Sequence, residues 1–349
     1  MSKAADIQQE PRDTDDFRVA LESVLSEHLG ASRRVCGVER RQSEYSSSYM
    51  LEEVGVQLDD GTSLQLIFKN LSWRAMLEGA RAAKPAFLYD PLREIETYRS
   101  ILTPNGVSAP FCFGALVEPR IERYWLFLEK VSGFKIRHVG EFSVWQEVAR
   151  WLASLHTRFD LDSEALTQPQ AAHLLRYDRD FFRLWIERAA AFLKQRGSTL
   201  PKNSLASFDR FSSHYEIIVE RLATLPHTFI HGDFFASNVL AQQTPAGVRV
   251  RPVDWEMAGI GPGLIDLAAL TSGTWSEAER NELSMAYYEE LVLRGRWRPT
   301  RAEFLSALDY CRLHLAVQWL GWSTKWSPPA DEAQDWLSEA LRLAQKLKP

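Results

Sequence analysis

The stretch His231-Gly232-Asp233-Phe234-Phe235-Ala236-Ser237-Asn238, followed by Val253-Asp254-Trp255-Glu256, decides how this chain is read. Asn238 stands five residues after Asp233, and Asp254 sixteen after Asn238. That interval leaves room for a tight loop, a short hairpin and a return of the chain beside its start. Alone, either aspartate would read as a turn or cap residue. Together, the three side chains supply what transfer of a phosphoryl group from a magnesium nucleotide requires. Asp233 offers a carboxylate to orient an attacking hydroxyl, and Asn238 with Asp254 offers hard oxygens to hold magnesium against the phosphates.

Composition sets the outer bounds. The 349 residues are 45% hydrophobic and 25% charged, as in an ordinary globular protein, and are enough for two or three domain-sized units. A net charge of -5 gives no global basic field, so no nucleic-acid partner is expected. Cys36, Cys112 and Cys311 are far apart and form no metal-binding pair, which fits a reducing cytoplasm. The polar N-terminus lacks the apolar core of a signal peptide, and no apolar run is long enough to span a bilayer. A cytoplasmic protein with no membrane partner is therefore expected. Most of the twelve Trp residues read as core.

Residues 1–12 read as a loose tail, and Phe17, Leu21, Val24 and Leu25 as a helical stripe that Gly30 ends. Strands are expected near Arg33–Val38, Tyr49–Leu58 and Ser63–Asn70, the last two joined through Asp59-Asp60-Gly61-Thr62. In the third strand Leu64, Leu66 and Phe68 share one face, and Gln65, Ile67 and Lys69 the other. A helix over 91–102 follows, capped by Asp90 with Pro91 first. Two further strands are predicted at Phe111–Val117 and Tyr124–Glu129. The remainder is helical apart from short strands around 229–254. Phe208, Phe211, Tyr215, Ile218 and Leu222 are spaced for one helix, Ser276 and Thr300 open capping boxes, and Ser327-Pro328 opens a last helix. In the helix over 91–102, Glu94 falls on the arc of Ile95, Tyr98, Ile101 and Leu102. A carboxylate on a buried face needs a cation, and Lys69 is the candidate.

The block from 231 to 266 resembles the aminoglycoside phosphotransferase and choline kinase group, small-molecule relatives of the protein kinases. The likeness extends over roughly residues 33–270. It implies an α+β, protein-kinase-like two-lobed fold. Residues 1–32 would be the N-terminal tail and helix. Residues 33–130 would form a small five-stranded, nucleotide-binding N-lobe with one key helix. Residues 131–349 would form a larger, mostly helical C-lobe with the catalytic loop and acceptor site. The resemblance further implies ATP as co-substrate and Mg as cofactor. Lys69 would then pair with the ATP phosphates and with Glu94, and Ile67 would touch the adenine. The backbones of Glu129 and Val131 would meet the adenine edge. His231 would brace the catalytic loop and Asp266 steady it, and His156 would be a satisfied core histidine. The chain departs from the kinases in lacking GxGxxG between the first two strands. Ser46, Ser47 and Ser48 stand there instead, small residues able to bring N–H and hydroxyl donors to phosphate, with Ser47 and Ser48 the candidates. No GxxxxGK[ST] is present, which disfavours a P-loop ATPase. Gly259, Gly261 and Gly263 form a GxGxG string with no dinucleotide-binding context and read as loop flexibility.

The leading expectation is therefore an ATP- and Mg-dependent phosphotransferase acting on a hydroxyl of a small molecule, aminoglycoside-, sugar- or amino-alcohol-like. Only eleven residues separate Asp254 from Asp266, too few for a protein-kinase activation segment, which favours a small acceptor. A non-catalytic nucleotide-binding pseudokinase would bind ATP without turnover. A metal-dependent hydrolase using His231 and Asp233 would release phosphate equally with and without acceptor, but its sites usually gather more histidines than this stretch holds.

Overall fold

A computed structural model of the protein describes residues 11–45, 48–159, 164–196, 200, 203–322 and 334–348. The expected tail thus lies mostly outside the described residues. Two compact units emerge, one of residues 1–77 with 110–130 and one of residues 78–109 with 131–349.

The first unit is a helix laid on a sheet. Helix α1 (Pro11–Leu29) precedes strands β1 (Val35–Gln42), β2 (Leu51–Leu58), β3 (Ser63–Asn70), β4 (Cys112–Glu118) and β5 (Arg123–Glu129). They form one antiparallel sheet in the order β1-β2-β3-β5-β4. The β2–β3 turn closes as its chemistry dictates. Gly61 takes φ +85 and donates to the Leu58 carbonyl, and the Asp60 carboxylate accepts the Thr62 N–H at 2.9 Å. Strand β1 runs on to Gln42, beyond the expected end, because Arg40 pairs in bidentate fashion with Glu52 on β2 and Arg41 pairs with Glu53. The apolar stripe of α1 packs Phe17, Leu21, Val24 and Leu25 onto Val54, Leu66, Phe68 and Phe127. Each such fully buried side chain contributes about 1.5–3 kcal/mol. The opposite face of β3 carries Ile67 and Lys69. The Lys69 ammonium lies 5.6 Å from the Tyr49 ring centroid, and the side chain is buried.

The second unit holds helices α2 (Glu78–Ala83), α3 (Pro91–Glu96), α4 (Phe142–Arg158), α5 (Glu164–Thr167), α6 (Arg179–Gln195), α7 (Ser204–Ser212), α8 (Tyr215–Ala223), α9 (Leu264–Leu270), α10 (Glu277–Arg294), α11 (Arg301–Trp322) and α12 (Trp336–Leu347). The helix expected over 91–102 starts as foreseen, Asp90 capping the Leu92 N–H at 2.9 Å. It remains α-helical only to Glu96 and then widens into a π turn over Thr97–Leu102. Ile95, Tyr98, Ile101 and Leu102 stay buried through the change. The single helix expected through Phe208 and Leu222 is two, because the chain leaves helical geometry at His214. All five stripe residues are nevertheless buried, so the break preserves the periodicity that concealed it. Both capping boxes form. The Ser327-Pro328 start lies outside the described residues, and the last described helix is capped by Asp335 instead.

Two three-stranded sheets complete this unit. Strands β6 (Phe134–Lys135), β9 (Val239–Thr244) and β10 (Gly247–Pro252) are ordered β10-β9-β6, and β7 (Leu175–Arg176), β8 (His227–Ile230) and β11 (Gly259–Pro262) are ordered β7-β11-β8. Strand β11 corrects the reading of the glycine string. Gly259 and Gly261 are buried in a central strand, and a Cβ on either would come within 2.5 Å of Tyr177. These glycines permit close packing rather than flexibility. Gly261→Ala should therefore destabilise the protein by about 1–3 kcal/mol in urea unfolding, as overpacked core sites do.

Candidate active site

The site begins where β8 ends. Beyond Ile230 the chain turns through Gly232 at φ +78, a left-handed conformation natural to glycine. The Met257 carbonyl and the Tyr177 hydroxyl fill the space a Cβ would take there. Asp266, in the first turn of α9, holds this turn from behind. Its carboxylate accepts the His231 N–H at 2.7 Å and the Gly232 N–H at 2.8 Å. His156 reaches the same carboxylate through Nε2 at 3.2 Å, while its Nδ1 lies 2.8 Å from the Tyr287 hydroxyl. Burial, then the Asp266 charge, pushes the Tyr287 phenol up, so the hydroxyl keeps its proton and can donate to Nδ1. Asp266 and His231 are both fully buried, so these donors satisfy groups that water does not reach.

His231 passes the constraint forward. Its Nε2 lies 2.9 Å from the Val253 carbonyl, which can only accept, so Nε2 carries the proton and Nδ1 accepts the Asp233 N–H at 3.3 Å. Asn238, at the end of a single 3-10 turn, donates through Nδ2 to the Asp233 carboxylate at 2.8 Å and to its carbonyl at 3.0 Å. The β9–β10 hairpin then brings the chain back. Val239 pairs with Pro252, and the Val253 N–H donates to the Asn238 carbonyl at 2.9 Å. Asp254 follows at φ 67, ψ 62, a left-handed conformation that costs a non-glycine residue about 1 kcal/mol or more.

The electrostatics of this cluster are unbalanced. The Asp233 carboxyl is pushed up to about 8, first by burial and then by the negative charges of Asp254 and Glu256. The Asn238 hydrogen bond and the Lys84 ammonium pull the other way. Lys84 Nζ lies 2.5 Å from the Glu256 carboxylate, in a pair almost removed from solvent. The Glu256 carbonyl is held by Arg93, whose guanidinium also donates to the carbonyls of Leu88 and His173. Two carboxylates thus raise the proton affinity of a third, and the Lys84 ammonium and the Asn238 amide oppose them. A divalent cation suits that arrangement, and the donor set fits magnesium. Asp254 offers a carboxylate, and Asn238, with its Nδ2 turned to Asp233, retains Oδ1.

Of the other residues singled out from sequence, Ile67, Lys69, Ser48 and Glu129 belong to the first unit and Glu94 and Val131 to the second. The Ser48 carbonyl accepts the Leu77 N–H at 3.0 Å, and Ser47 lies outside the described residues. Glu129 ends β5, its carboxylate accepting the Phe111 N–H at 2.9 Å. Glu94 is buried on α3, as its place on the apolar arc required. Sequence reading missed Lys84, Arg93 and Glu256. Glu256 was within its sight, two residues past Asp254, but Lys84 shows no periodic signal and meets a partner 172 residues away. It also left open Phe235, whose half-buried ring meets Trp319 edge-on at 5.5 Å, with Trp336 stacked on Trp319.

The family model described as Phosphotransferase enzyme family matches residues 81–303. The chain belongs to that family. Its fold is protein-kinase-like. Similar solved structures include a choline kinase from Cryptosporidium parvum Iowa II, with TM-score 0.55 and 17% identity over 89% of this chain and 88% of that one. A microcompartment-associated aminopropanol kinase gives TM-score 0.56 and 16% identity over 88% and 90%. A GDP complex of an aminoglycoside 2'-phosphotransferase-IIIa mutant gives TM-score 0.54 and 11% identity over 95% and 97%. A search of curated protein sequences returns no match. Family and fold together make the protein a small-molecule kinase with an alcohol group as acceptor. No helix among the described residues is long and apolar enough to cross a membrane.

The raised Asp233 carboxyl has a stability consequence with a definite sign. Its folded value, about 8, exceeds the ordinary 3.8, so the folded protein holds the proton more tightly than the unfolded chain does. The folded state therefore loses stability as pH climbs from about 4 to about 8. Asp233→Asn, which keeps an acceptor for Asn238, should raise the Tm of the metal-stripped protein by about 3 °C near neutral pH. The gain should shrink to nothing near pH 4, as read by calorimetry in chelator-containing buffers.

Proposed function

We propose that the protein moves the γ-phosphate of ATP to a hydroxyl of a small molecule in a magnesium-dependent reaction, with Asp233 as the catalytic carboxylate. One observation carries the reading. Asp233 and Asn238 share a direct hydrogen bond, the Val253 N–H bonds the Asn238 carbonyl so that Asp254 follows next in the chain, and this half-buried acidic cluster lies inside the segment that the phosphotransferase family model matches. The Asp233 carboxylate would accept a hydrogen bond from the acceptor hydroxyl, and the Asn238 amide fixes its direction. As the hydroxyl oxygen forms its bond to the γ-phosphorus, the bond to the β–γ bridging oxygen breaks, ADP departs and the proton passes to Asp233. A carboxyl with a raised proton affinity is suited to that last role. Asn238 and Asp254 would hold magnesium, which when bound neutralises charge on the phosphates.

We assign Lys69 and Glu94 to binding the ATP phosphates, Ile67 and the backbones of Glu129 and Val131 to the adenine, and Ser47 and Ser48 to the loop over the phosphates. His231 and Asp266 support the catalytic turn. For the acceptor we favour an amino alcohol or sugar over a polycationic aminoglycoside. The aromatic group that Trp319 and Trp336 form beside Phe235, itself two residues from Asp233, supports a compact acceptor with an apolar or singly cationic face. Two acids that could have served a polycation are otherwise engaged: Glu290 accepts from Ser154 and pairs with Arg294, and Asp335 caps α12.

Turnover with Mg·ATP across a panel of amino alcohols, sugars and aminoglycosides tests the reading. Asp233→Ala should lower kcat by about 10²–10⁴-fold with the fold intact. Asp254→Ala should abolish transfer, and near wild-type turnover in that variant at saturating ATP would remove its magnesium role. Lys69→Ala should chiefly lower kcat/KM for ATP. Saturable ATP binding without transfer to any acceptor would point to a non-catalytic nucleotide-binding protein instead.

A further inference from the structure

The magnesium reading leaves one carboxylate without a task. Glu256 lies two residues past Asp254, on the 3-10 turn Trp255–Met257, and its charge is felt at Asp233. A carboxylate two residues from a candidate ligand could compete for the same ion, yet no three His, Cys, Asp or Glu among the described residues gather as a metal-holding group. The structure engages Glu256 elsewhere. The Lys84 ammonium sits 2.5 Å from the Glu256 carboxylate with the lysine side chain only 3% exposed. The backbone of the same residue is held by Arg93, which is itself buried and donates to three carbonyls. Glu256 is therefore fixed at both ends by cations from the segment before and within α3.

We propose that Lys84 is a positioning residue that acts through Glu256, withholding its carboxylate from the metal so that Asn238 and Asp254 remain the protein's metal ligands. The inference rests on the magnesium reading above. A buried ion pair is poor evidence for added stability, since an apolar pair of similar size is often as stable, but losing one partner leaves a buried charge uncompensated. At Lys84 that charge would lie beside the metal site, where a new negative charge strengthens cation binding. An over-tight site with an extra protein ligand would also compete with the nucleotide for the ion.

Mn²⁺ binding to the nucleotide-free protein, followed by electron paramagnetic resonance, reads the metal site directly, and kcat is measured beside it with an acceptor from the panel above. Lys84→Met should tighten Mn²⁺ binding by about tenfold while kcat falls by about tenfold or more. That opposition is not produced by mere loosening of the fold, which would weaken the metal site. Lys84→Met/Glu256→Gln removes both charges together and should bind Mn²⁺ within about twofold of the unaltered protein. A tenfold loss of Mn²⁺ affinity in the double variant would make Glu256 a ligand and overturn the proposal. So would unchanged Mn²⁺ affinity in Lys84→Met. Should Lys84→Met fail to fold, the double variant decides alone. Failure of the unaltered protein to bind Mn²⁺, with Asp254→Ala no different, would overturn the magnesium reading and this inference with it. Normal binding with either contrary variant result would overturn this inference only.

Discussion

The Asp266 carboxylate is the constraint on which the rest of the site depends. It is fully buried, and an ionised carboxylate without partners would be prohibitive there. Its partners are the two consecutive N–H groups of His231 and Gly232 together with His156. Those donors satisfy the charge only if the chain makes its turn at Gly232, and the turn places Asp233 next. The oxygen that stabilises the fold and the geometry that presents the catalytic candidate are thus one arrangement. His156 and Tyr287 extend the same arrangement, since their bonds orient the carboxylate that holds the loop.

In front of that anchor the balance reverses. Behind Asp233, negative charge meets well-placed donors. Ahead of it, the charges of Asp254 and Glu256 act on Asp233, opposed by the Asn238 hydrogen bond and the Lys84 ammonium. Asp254 is also held in a left-handed conformation. A protein selected only for stability would relieve both features. Their coexistence in one turn is what a functional site, rather than a purely structural turn, is expected to show.

How much of this the sequence disclosed follows from the range of each interaction. Strand β3 falls within its expected limits because alternation and a flanking turn with Gly61 both act locally. The capping boxes at Ser276 and Thr300 span three residues and were equally plain. The division of α7 from α8 was hidden because the buried stripe keeps its phase across His214. The glycine string was misread because its reason is the Tyr177 ring, far away in sequence. At the site, Asp233, Asn238 and Asp254 were legible as a spacing of residue types. Lys84 and Arg93 were not, since nothing near them in the chain names Glu256 as their partner.

The interval between Asn238 and Asp254 shows why spacing carried so much. It is filled by a hairpin whose strands pair from Val239 with Pro252 out to Thr244 with Gly247. The useful contact is at the base, where the Val253 N–H meets the Asn238 carbonyl. An antiparallel pair returns the chain to its starting level whatever its length, provided both strands change together. A one-residue change in one strand alone would instead shift the register and turn every side chain to the other face. The constraint is therefore on the parity and pairing of β9 and β10, not on the number of residues between Asn238 and Asp254. The hairpin tip is free to vary, while Asn238 and Val253 must remain opposite one another for the chain to return beside Asn238 just before Asp254.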